Sequence, residues 1–237
     1  MEPTQTKSNP LAIPIAIVIA GAIIGGAVLI ALRQPSNSMG AAAQQPQAQT
    51  VDISQVKTSG EPFIGNPNAP VTIAYWYDYQ CPFCKRNEQE TMPQIIKDYV
   101  DTGKVKIVFK DYQFLGDDSQ TLGKVSRAVW ETLPSKFYQW HKALYDNSGT
   151  ENTGWATKDK ILSITTGVLG AADAQKVMAL AEKNAVAYQN EMDADKAEGA
   201  AMGISGTPGT IIGKQLISGA QPYSVFKQMI DLTLQGK

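Results

Sequence analysis

Two cysteines separated by two residues are the part of this sequence best suited to chemistry. Cys81 and Cys84 are the only cysteines in the 237 residues, and Pro82 and Phe83 lie between them. At the start of a helix, the first sulfur of such a pair meets backbone N–H groups and the positive end of the helix dipole, which favour a negative charge. We therefore predict an exposed Cys81 whose pKa lies below the value of about 8.5 for a free thiol.

The two thiols are predicted to play different parts in disulfide exchange. A thiolate of low pKa is a good leaving group, so an oxidised Cys81–Cys84 pair would pass its disulfide to a substrate dithiol through a mixed disulfide on Cys81. Cys84 should face inward and resolve that mixed disulfide in the reverse direction. Pro82 suits the first helical turn, where its missing N–H is no loss. The redox group is this disulfide, and we predict no other cofactor.

Other roles of a cysteine pair fit the sequence less well. A zinc site needs two further ligands, and apart from carboxylates the chain offers only its single histidine, His141. A structural disulfide across two residues would close too short a loop to constrain the unfolded chain. Metal delivery is a rival that predicts retention of copper or zinc by the reduced protein, although Met178, Met192 and Met202 are more simply core or linker residues. We predict no metal site.

Charged residues near the pair leave several roles open. Asp78, three residues before Cys81, is expected either to cap the helix or loop or to assist proton transfer. Lys85 and Arg86 would lie in the first helical turn, where a solvated face is favoured over support of a thiolate. His141 is interpreted as a surface or packing residue rather than a base.

The pattern around the cysteines predicts a buried strand followed by a helix. Residues 71–77 form a β-branched and aromatic run that is apolar on both faces, which is typical of a central strand, and its aromatic residues are predicted to be core. A helix should follow over residues 81–100, with Pro93 bending or breaking it so that its first segment ends near Met92. Residues 105–110 predict the next strand.

The second half of the domain predicts helices and then a hairpin. A helical block is expected over residues 117–203, followed by strands at 210–213 and 216–218 and a last helix from Pro222 to about Leu234. Breaks in the block are expected near Pro134, 147–154, 167–170 and 199–203. The order of elements predicts an α/β sandwich with a helical insertion.

The first 50 residues are predicted to lie outside this domain. Residues 11–32 carry no charge, and as a helix they would reach roughly 33 Å, enough to cross a hydrocarbon core of about 30 Å. We interpret them as an uncleaved signal anchor, although Ala41–Ala43 would also permit cleavage of a secretory signal. The predicted organisation is a short cytoplasmic tail at 1–10, the transmembrane helix at 11–32, a flexible tether at 33–56 and an extracytoplasmic domain at 57–237.

The charge balance excludes one class of partner. The chain has 21 Lys and Arg against 22 Asp and Glu, a formal net charge of -1. It lacks the basic excess with which nucleic-acid-binding proteins attract phosphates. We therefore predict no nucleic-acid partner.

Two segments resemble the DsbA-like branch of the thioredoxin superfamily, which includes membrane-tethered bacterial members. They are AYWYDYQCPFCKRNEQETMPQI, which contains the cysteine pair, and GISGTPGTIIGKQLISGAQPYSVFKQMI near the carboxyl end. Together with the helical block they extend the resemblance over residues 62–230. It implies a thioredoxin-like fold in which the helical insertion lies between the second strand region and a cis-proline.

The resemblance also implies residue roles around the cysteine pair. It assigns the cis-proline that faces the pair to Pro208 and the pairing with substrate backbone to Thr207. Apart from the resemblance, we expect an apolar substrate-binding surface around Phe83 and Pro208. This chain departs from the best-known oxidase of the branch, which has Pro-His between its cysteines where this chain has Pro-Phe. The thiolate is therefore expected to depend on backbone donors and the helix end.

The function implied is thiol–disulfide exchange outside the cytoplasm. We predict an oxidase that introduces disulfides into cysteine-containing exported proteins and is reoxidised by a membrane quinone-linked enzyme of the DsbB or vitamin K epoxide reductase type. A reductase or isomerase with the same site is one alternative. A tethered peptide-binding chaperone module, in which the thiols are incidental, is another.

Overall fold

A mixed five-stranded sheet organises the part of the chain that the structure, a computed structural model, describes: residues 51–236. The strands are β1 (Phe63–Gly65), β2 (Val71–Tyr77), β3 (Val105–Asp111), β4 (Gly209–Ile212) and β5 (Gln215–Ser218). Their spatial order is β1-β3-β2-β4-β5, with β2 and β3 parallel and the other neighbours antiparallel. Four of these strands were predicted from the sequence. The additional strand, β1, has three residues and is too short to give a period-two pattern.

The helices lie around this sheet, and most of them come from the insertion between β3 and β4. They are α1, a continuous helical run from Pro82 to Val100, α2 (Asp117–Thr132), α3 (Phe137–Asp146), α4 (Lys158–Leu169), α5 (Ala171–Lys183), α6 (Ala185–Ala201) and α7 (Tyr223–Leu234); single 3-10 turns occupy Ile53–Gln55 and Pro134–Lys136. The predicted order of elements and the thioredoxin-like α/β fold with its helical insertion are confirmed.

Of the two outcomes expected at Pro93, a bend or a break of α1, the break does not occur. The run is α-helical over Pro82–Arg86, π-helical over Asn87–Thr91, α-helical over Met92–Ile95 and π-helical over Ile96–Val100. A π turn reroutes backbone hydrogen bonds to the fifth residue along the chain, as in the bond from the Met92 N–H to the Asn87 carbonyl. The Gln94 side chain also donates to the Glu90 carbonyl at 2.7 Å. The helix thus passes the proline without ending.

Two breaks of the helical block were expected, over residues 167–170 and 199–203. In each range the first glycine stays helical, and the helix ends before the last one. Gly167 stays within α4, and the break comes at Gly170, where φ is +84°. Gly199 stays within α6 and is packed against the indole of Trp76: a Cβ there would lie 2.7 Å from Trp76 Nε1. The break follows at Gly203, where φ is +83°.

Strand β2 connects the two sides of the core. Ile73, Tyr75 and Tyr77 belong to the larger apolar cluster, whereas Ala74 and Trp76 belong to a smaller one on the opposite face. Successive side chains of a strand point to opposite faces, and here both faces are covered, as the apolar run predicted. The strand ends just before Cys81 and so fixes the start of α1.

A buried group of ions joins the insertion to the sheet. Arg127 on α2 is 5% exposed and binds Asp111 of β3 at 2.6 Å, Glu61 at 2.8 Å and Asp195 of α6. Lys110 of β3 is fully buried, and its Nζ lies 2.5 Å from the same Asp195 carboxyl. Burial raises the pKa of Asp195 to about 6 although Arg127 and Lys110 oppose the rise. The positive charges of Arg127 and Lys110 therefore offset the negative charges of the buried acids.

Replacing Arg127 by methionine should destabilise the protein strongly. The change leaves Asp111, Glu61 and Asp195 without their shared guanidinium, and breaking a buried ion group in this way costs about 3–5 kcal/mol of unfolding free energy. The measurement is the urea unfolding curve. Arg86→Met, at an exposed position of α1, is the matched control and should change stability by about 0.5 kcal/mol or less. Equal effects of the two substitutions would contradict the prediction.

No helix within residues 51–236 is long and apolar enough to cross a membrane. The predicted tail, the transmembrane helix at 11–32 and most of the tether lie outside the residues that the structure describes.

Candidate active site

The end of β2 and the start of α1 hold the cysteine pair. Cys81 is the residue before the first helical turn, Pro82 is the first helical residue, and both cysteines are free thiols. The Cys81 N–H donates to the Asp78 carbonyl at 3.1 Å, and the Cys81 carbonyl accepts from the Lys85 N–H at 3.1 Å. Cys84 has no exposed surface, as expected for an inward-facing thiol.

The expectation of an exposed Cys81 is wrong, because only 5% of this residue is accessible. The loop before β4 lies against it: the Cys81 thiol is 3.3 Å from the Thr207 carbonyl oxygen and donates to it. The Thr207–Pro208 peptide bond is cis, as the resemblance implies. The Pro208 carbonyl accepts from the Gly219 N–H at 2.8 Å, which joins this loop to the end of β5. Thr207 and Pro208 thus border the sulfur that would react.

The two thiols have opposite pKa shifts. The pKa of Cys81 is lowered to about 6, first by a hydrogen bond from the Cys84 thiol and then, against the effect of burial, by Thr207 and the backbone N–H groups of Cys84 and Phe83. Burial raises the pKa of Cys84 well above its ordinary value. The backbone donors predicted from the sequence do contribute, but the largest cause is the partner thiol. The site therefore favours one thiolate, on Cys81.

Asp78 organises the loop beside the site. Its fully buried carboxylate accepts the backbone N–H groups of Gln80 at 2.8 Å, Phe114 at 2.8 Å and Leu115 at 3.0 Å. It also accepts the Ser119 hydroxyl at 2.5 Å. Of the two roles left open for Asp78, these contacts favour the loop-ordering one, since the carboxylate is occupied by donors from the segment after β3.

Lys85 and Arg86 contact neighbouring loops, whereas Phe83 is exposed. Phe83 is 54% exposed, and the Arg86 guanidinium lies 5.3 Å from the centre of its ring. Arg86 also donates to the Ala220 carbonyl at 3.2 Å, while the Lys85 ammonium donates to the Ser148 carbonyl at 3.0 Å. Neither cation is among the main causes of the low Cys81 pKa. Phe83 is the accessible apolar side chain of the motif.

Sequence reasoning missed the polar contacts that bring the insertion to the motif. The Gln80 amide donates to the Leu115 carbonyl at 2.7 Å and accepts the Asn152 N–H at 2.9 Å. The insertion also supplies His141, which is fully buried, with Nδ1 at 3.0 Å from the Tyr79 hydroxyl and Nε2 at 3.3 Å from Glu88 Oε1. His141 is thus a packing residue and not a surface one. These partners are distant along the chain, and no local pattern indicates them.

Two clefts flank the segment between β5 and α7. One, of about 320 Å³, lies between α1 and residues 220–222. The other, of about 220 Å³, lies between residues 204–209 and residues 218–219. Both adjoin the elements that hold Cys81 and Pro208. Within residues 51–236, by contrast, no group of three or more His, Cys, Asp or Glu is placed to hold a metal ion.

The low Cys81 pKa gives the reduced protein a specific pH dependence. Because the folded pKa is about 6 and the ordinary value is 9.0, the unfolded chain binds more protons between these values, so the stability of the reduced form should rise with pH across this range. The oxidised form has no thiol to titrate. Urea unfolding midpoints of both forms at about pH 6 and about pH 8.5 test this. The urea midpoint of the reduced form minus that of the oxidised form should increase from the lower to the higher pH. A difference that stays constant or decreases would contradict the prediction.

Comparison with known proteins places this site in a family. A family model described as thioredoxin matches residues 57–232. The chain is 30% identical over 190 residues to disulfide bond formation protein D of Bacillus subtilis, covering 77% of this chain and 81% of that protein. It is 25% identical over 173 residues to the probable disulfide bond formation protein D of Bacillus cereus, covering 73% and 78%.

Solved structures give the same result. The crystal structure of oxidised BdbD from B. subtilis superposes with a TM-score of 0.70 at 24% identity, over 79% of this chain and 98% of that chain. That of the thiol-disulfide exchange protein alpha-DsbA2 from Wolbachia pipientis superposes with a TM-score of 0.62 at 25% identity, over 73% and 86%. The chain therefore belongs to the thioredoxin family, in its DsbA-like branch, and is a thiol–disulfide oxidoreductase.

Proposed function

We propose that this enzyme acts as an oxidase, which introduces disulfides into exported proteins. The observation that carries the proposal is the opposite pKa shift of the two thiols, with Cys81 lowered to about 6 and Cys84 raised. A thiol pair whose reduced form is stabilised as a thiolate gives up its disulfide readily. The names of the Bacillus relatives, disulfide bond formation protein D, support the same direction.

The exchange begins on Cys81. A substrate thiolate attacks the Cys81 sulfur of the oxidised pair, the bond between the two enzyme sulfurs breaks, and Cys84 leaves as a thiolate that takes up a proton. The second thiolate of the same substrate then attacks the substrate sulfur of the mixed disulfide. This step releases Cys81 as a thiolate, which the hydrogen-bond donors around Cys81 stabilise. Two electrons and two protons pass from the substrate dithiol to the protein and its surroundings. Reduction of the enzyme is thus favoured by the stabilised thiolate of Cys81.

Substrate is proposed to lie across the cis-proline loop. Thr207 and Pro208 border Cys81, and Phe83, two residues after Cys81, offers an exposed apolar ring. The clefts on either side of residues 218–222 give room for the flanking residues of an extended chain. Thr207 would pair with substrate backbone, and Phe83 would supply apolar contact that is independent of substrate sequence.

The proposed place of action is the outer face of a membrane. The uncharged residues 11–32 would anchor the chain, and a membrane quinone-linked enzyme of the DsbB or vitamin K epoxide reductase type would reoxidise the pair. Retention of the full chain in the membrane pellet after alkaline carbonate extraction, and its release by detergent, would support the anchor. Release by carbonate alone would exclude it.

The reduction potential tests the direction of electron flow. We expect a value clearly above that of thioredoxin, about -270 mV, and within the range of about -180 to -120 mV that covers protein disulfide isomerase and DsbA. Equilibration with glutathione redox buffers, read by the fraction of protein alkylated on its thiols, gives the value. A potential near or below about -270 mV would replace the oxidase with the reductase alternative.

A further inference from the structure

The helical insertion contains a pocket that shares no lining residue with the site of Cys81. It has a volume of about 220 Å³ and is lined by residues of α2, α4 and α5 and by the first residue of α6. Four of its apolar lining residues are at most 8% exposed: Val125, Ile161, Met178 and Ala181. Protein interiors leave few voids larger than a water molecule. A pocket of this size therefore leaves these side chains without packing partners on one side.

Three charged side chains also line the pocket. Lys158 of α4 and Glu182 of α5 neutralise each other, because the lysine Nζ and the glutamate Oε1 form an ion pair at 2.5 Å. Lys124 of α2 is partly buried. It belongs to none of the ion pairs within residues 51–236. The lining therefore carries one positive charge that no acid in this part of the chain pairs with.

The apolar lining and the unpaired ammonium define the chemistry of a ligand. Ligand pockets combine mainly apolar side chains with a few polar groups that orient the ligand. A lysine can pack its stem on apolar surface while its ammonium reaches the solvent. A complementary ligand has an apolar body and one negative charge. A carboxylate meets this requirement and accepts a charge-assisted hydrogen bond from an ammonium, whereas a phosphate monoester brings nearly two negative charges.

The volume of the pocket limits the size of the apolar body. A cavity of about 150 Å³ holds benzene, which has six carbons. By proportion, a volume of about 220 Å³ holds roughly nine carbons. The two acyl chains of a membrane phospholipid, which extend through half of a hydrocarbon core of about 30 Å, exceed this space. The pocket thus suits a single short chain.

We propose that this pocket binds the anion of a free, straight-chain carboxylic acid of about eight carbons. The chain lies against Ile161, Met178 and Ala181, and the carboxylate accepts a hydrogen bond from the Lys124 ammonium. The site is formed by the insertion alone, so the inference goes beyond the proposed function of Cys81 and Cys84 and does not depend on it.

The test follows the methyl group of Met178 during a titration with octanoate. The full chain is labelled with ¹³C on its methionine methyl groups and placed in nanodiscs of phosphatidylcholine, which has no net charge. The NMR signal of Met178, which lines the pocket, is identified by its loss in Met178→Leu. We expect this signal to shift with half-saturation at about 1 mM or below, an ordinary affinity for a ligand of about ten non-hydrogen atoms. Free octanoate is measured in the filtrate, so that uptake by the lipid does not count as binding.

A neutral ligand of the same shape tests the role of Lys124. Octanamide should bind at least about 10-fold more weakly than octanoate, because it forms no charge-assisted hydrogen bond with the ammonium. Lys124→Met keeps the apolar stem and should remove this preference, so that the two ligands bind equally. Lys176→Met, at an exposed position of α5 outside the pocket, is the matched control and should retain the preference.

Several results would overturn the inference. They are a Met178 signal that is unmoved at about ten times the expected half-saturation, equal affinity of the unsubstituted chain for octanoate and octanamide, and a preference for octanoate that survives in Lys124→Met. A Met178 shift caused by anionic phosphatidylglycerol in the nanodisc, and not by octanoate, would also overturn it, because the ligand would then be a membrane lipid. None of these measurements involves disulfide exchange, so their failure leaves the proposed function standing.

Discussion

Replacing Cys81 by serine will abolish disulfide exchange with a substrate dithiol. Cys81 is the sulfur that borders Thr207 and Pro208, and its pKa, lowered to about 6, makes it the thiolate of the pair at neutral pH. A serine hydroxyl forms no disulfide, and Cys84 cannot take over because it is fully buried and its pKa is raised. The measurement is oxidation of a reduced peptide dithiol, which should fall to the rate without enzyme.

The matched control for this change is Cys84→Ser. It alters the same kind of atom in the same helical turn but leaves the attacking sulfur in place, so with an oxidised peptide, whose own disulfide is broken as one of its sulfurs leaves as a thiolate, it should still form a mixed disulfide. The Cys81→Ser variant should form none. If client folding in the presence of the Cys81→Ser variant equals that with the unsubstituted chain, the peptide-binding module would be the better account.

Much of the fold was predictable because its signals are local. The apolar run from Val71 to Tyr77 indicates a strand that is covered on both faces, and the structure places its alternate side chains in two separate clusters. The cysteine spacing and Pro82 indicate a helix start, which the structure has at Pro82. Periodicity and turn residues report on neighbours within a few positions, and these features depend on nothing further away.

The parts that the sequence did not predict depend on contacts between distant segments. The burial of Cys81 comes from the loop at Thr207, and the ion group of Arg127 gathers acids from three other segments. The largest cause of the low Cys81 pKa is the thiol of Cys84. Cys84 is near in sequence, but the orientation of its thiol depends on how α1 is packed. In each case the type of residue could be read from the sequence, but the orientation of its side chain could not be predicted.

Replacing Cys84 by alanine should raise the pKa of Cys81 and trap its mixed disulfides. The thiol of Cys84 is the largest cause of the low pKa, which is about 6. A hydrogen bond to a charged group contributes about 1.5–3 kcal/mol, and one pKa unit corresponds to about 1.4 kcal/mol. The Cys81 pKa should therefore rise to about 7–8 in Cys84→Ala, as measured by ultraviolet absorbance of the thiolate during a pH titration.

Serine at position 84 distinguishes the two roles of this residue. A hydroxyl can still donate to the Cys81 thiolate, so Cys84→Ser should keep the Cys81 pKa nearer to 6, yet like Cys84→Ala it cannot attack a mixed disulfide. Mixed with an oxidised peptide, both variants should therefore accumulate the mixed disulfide on Cys81, whereas only the alanine variant should lose the low Cys81 pKa. A Cys81 pKa that stays at about 6 in Cys84→Ala would mean that Thr207 and the first amides of α1 stabilise the thiolate without the partner thiol. The oxidising strength of the pair would then be set by the loop before β4 and the start of α1.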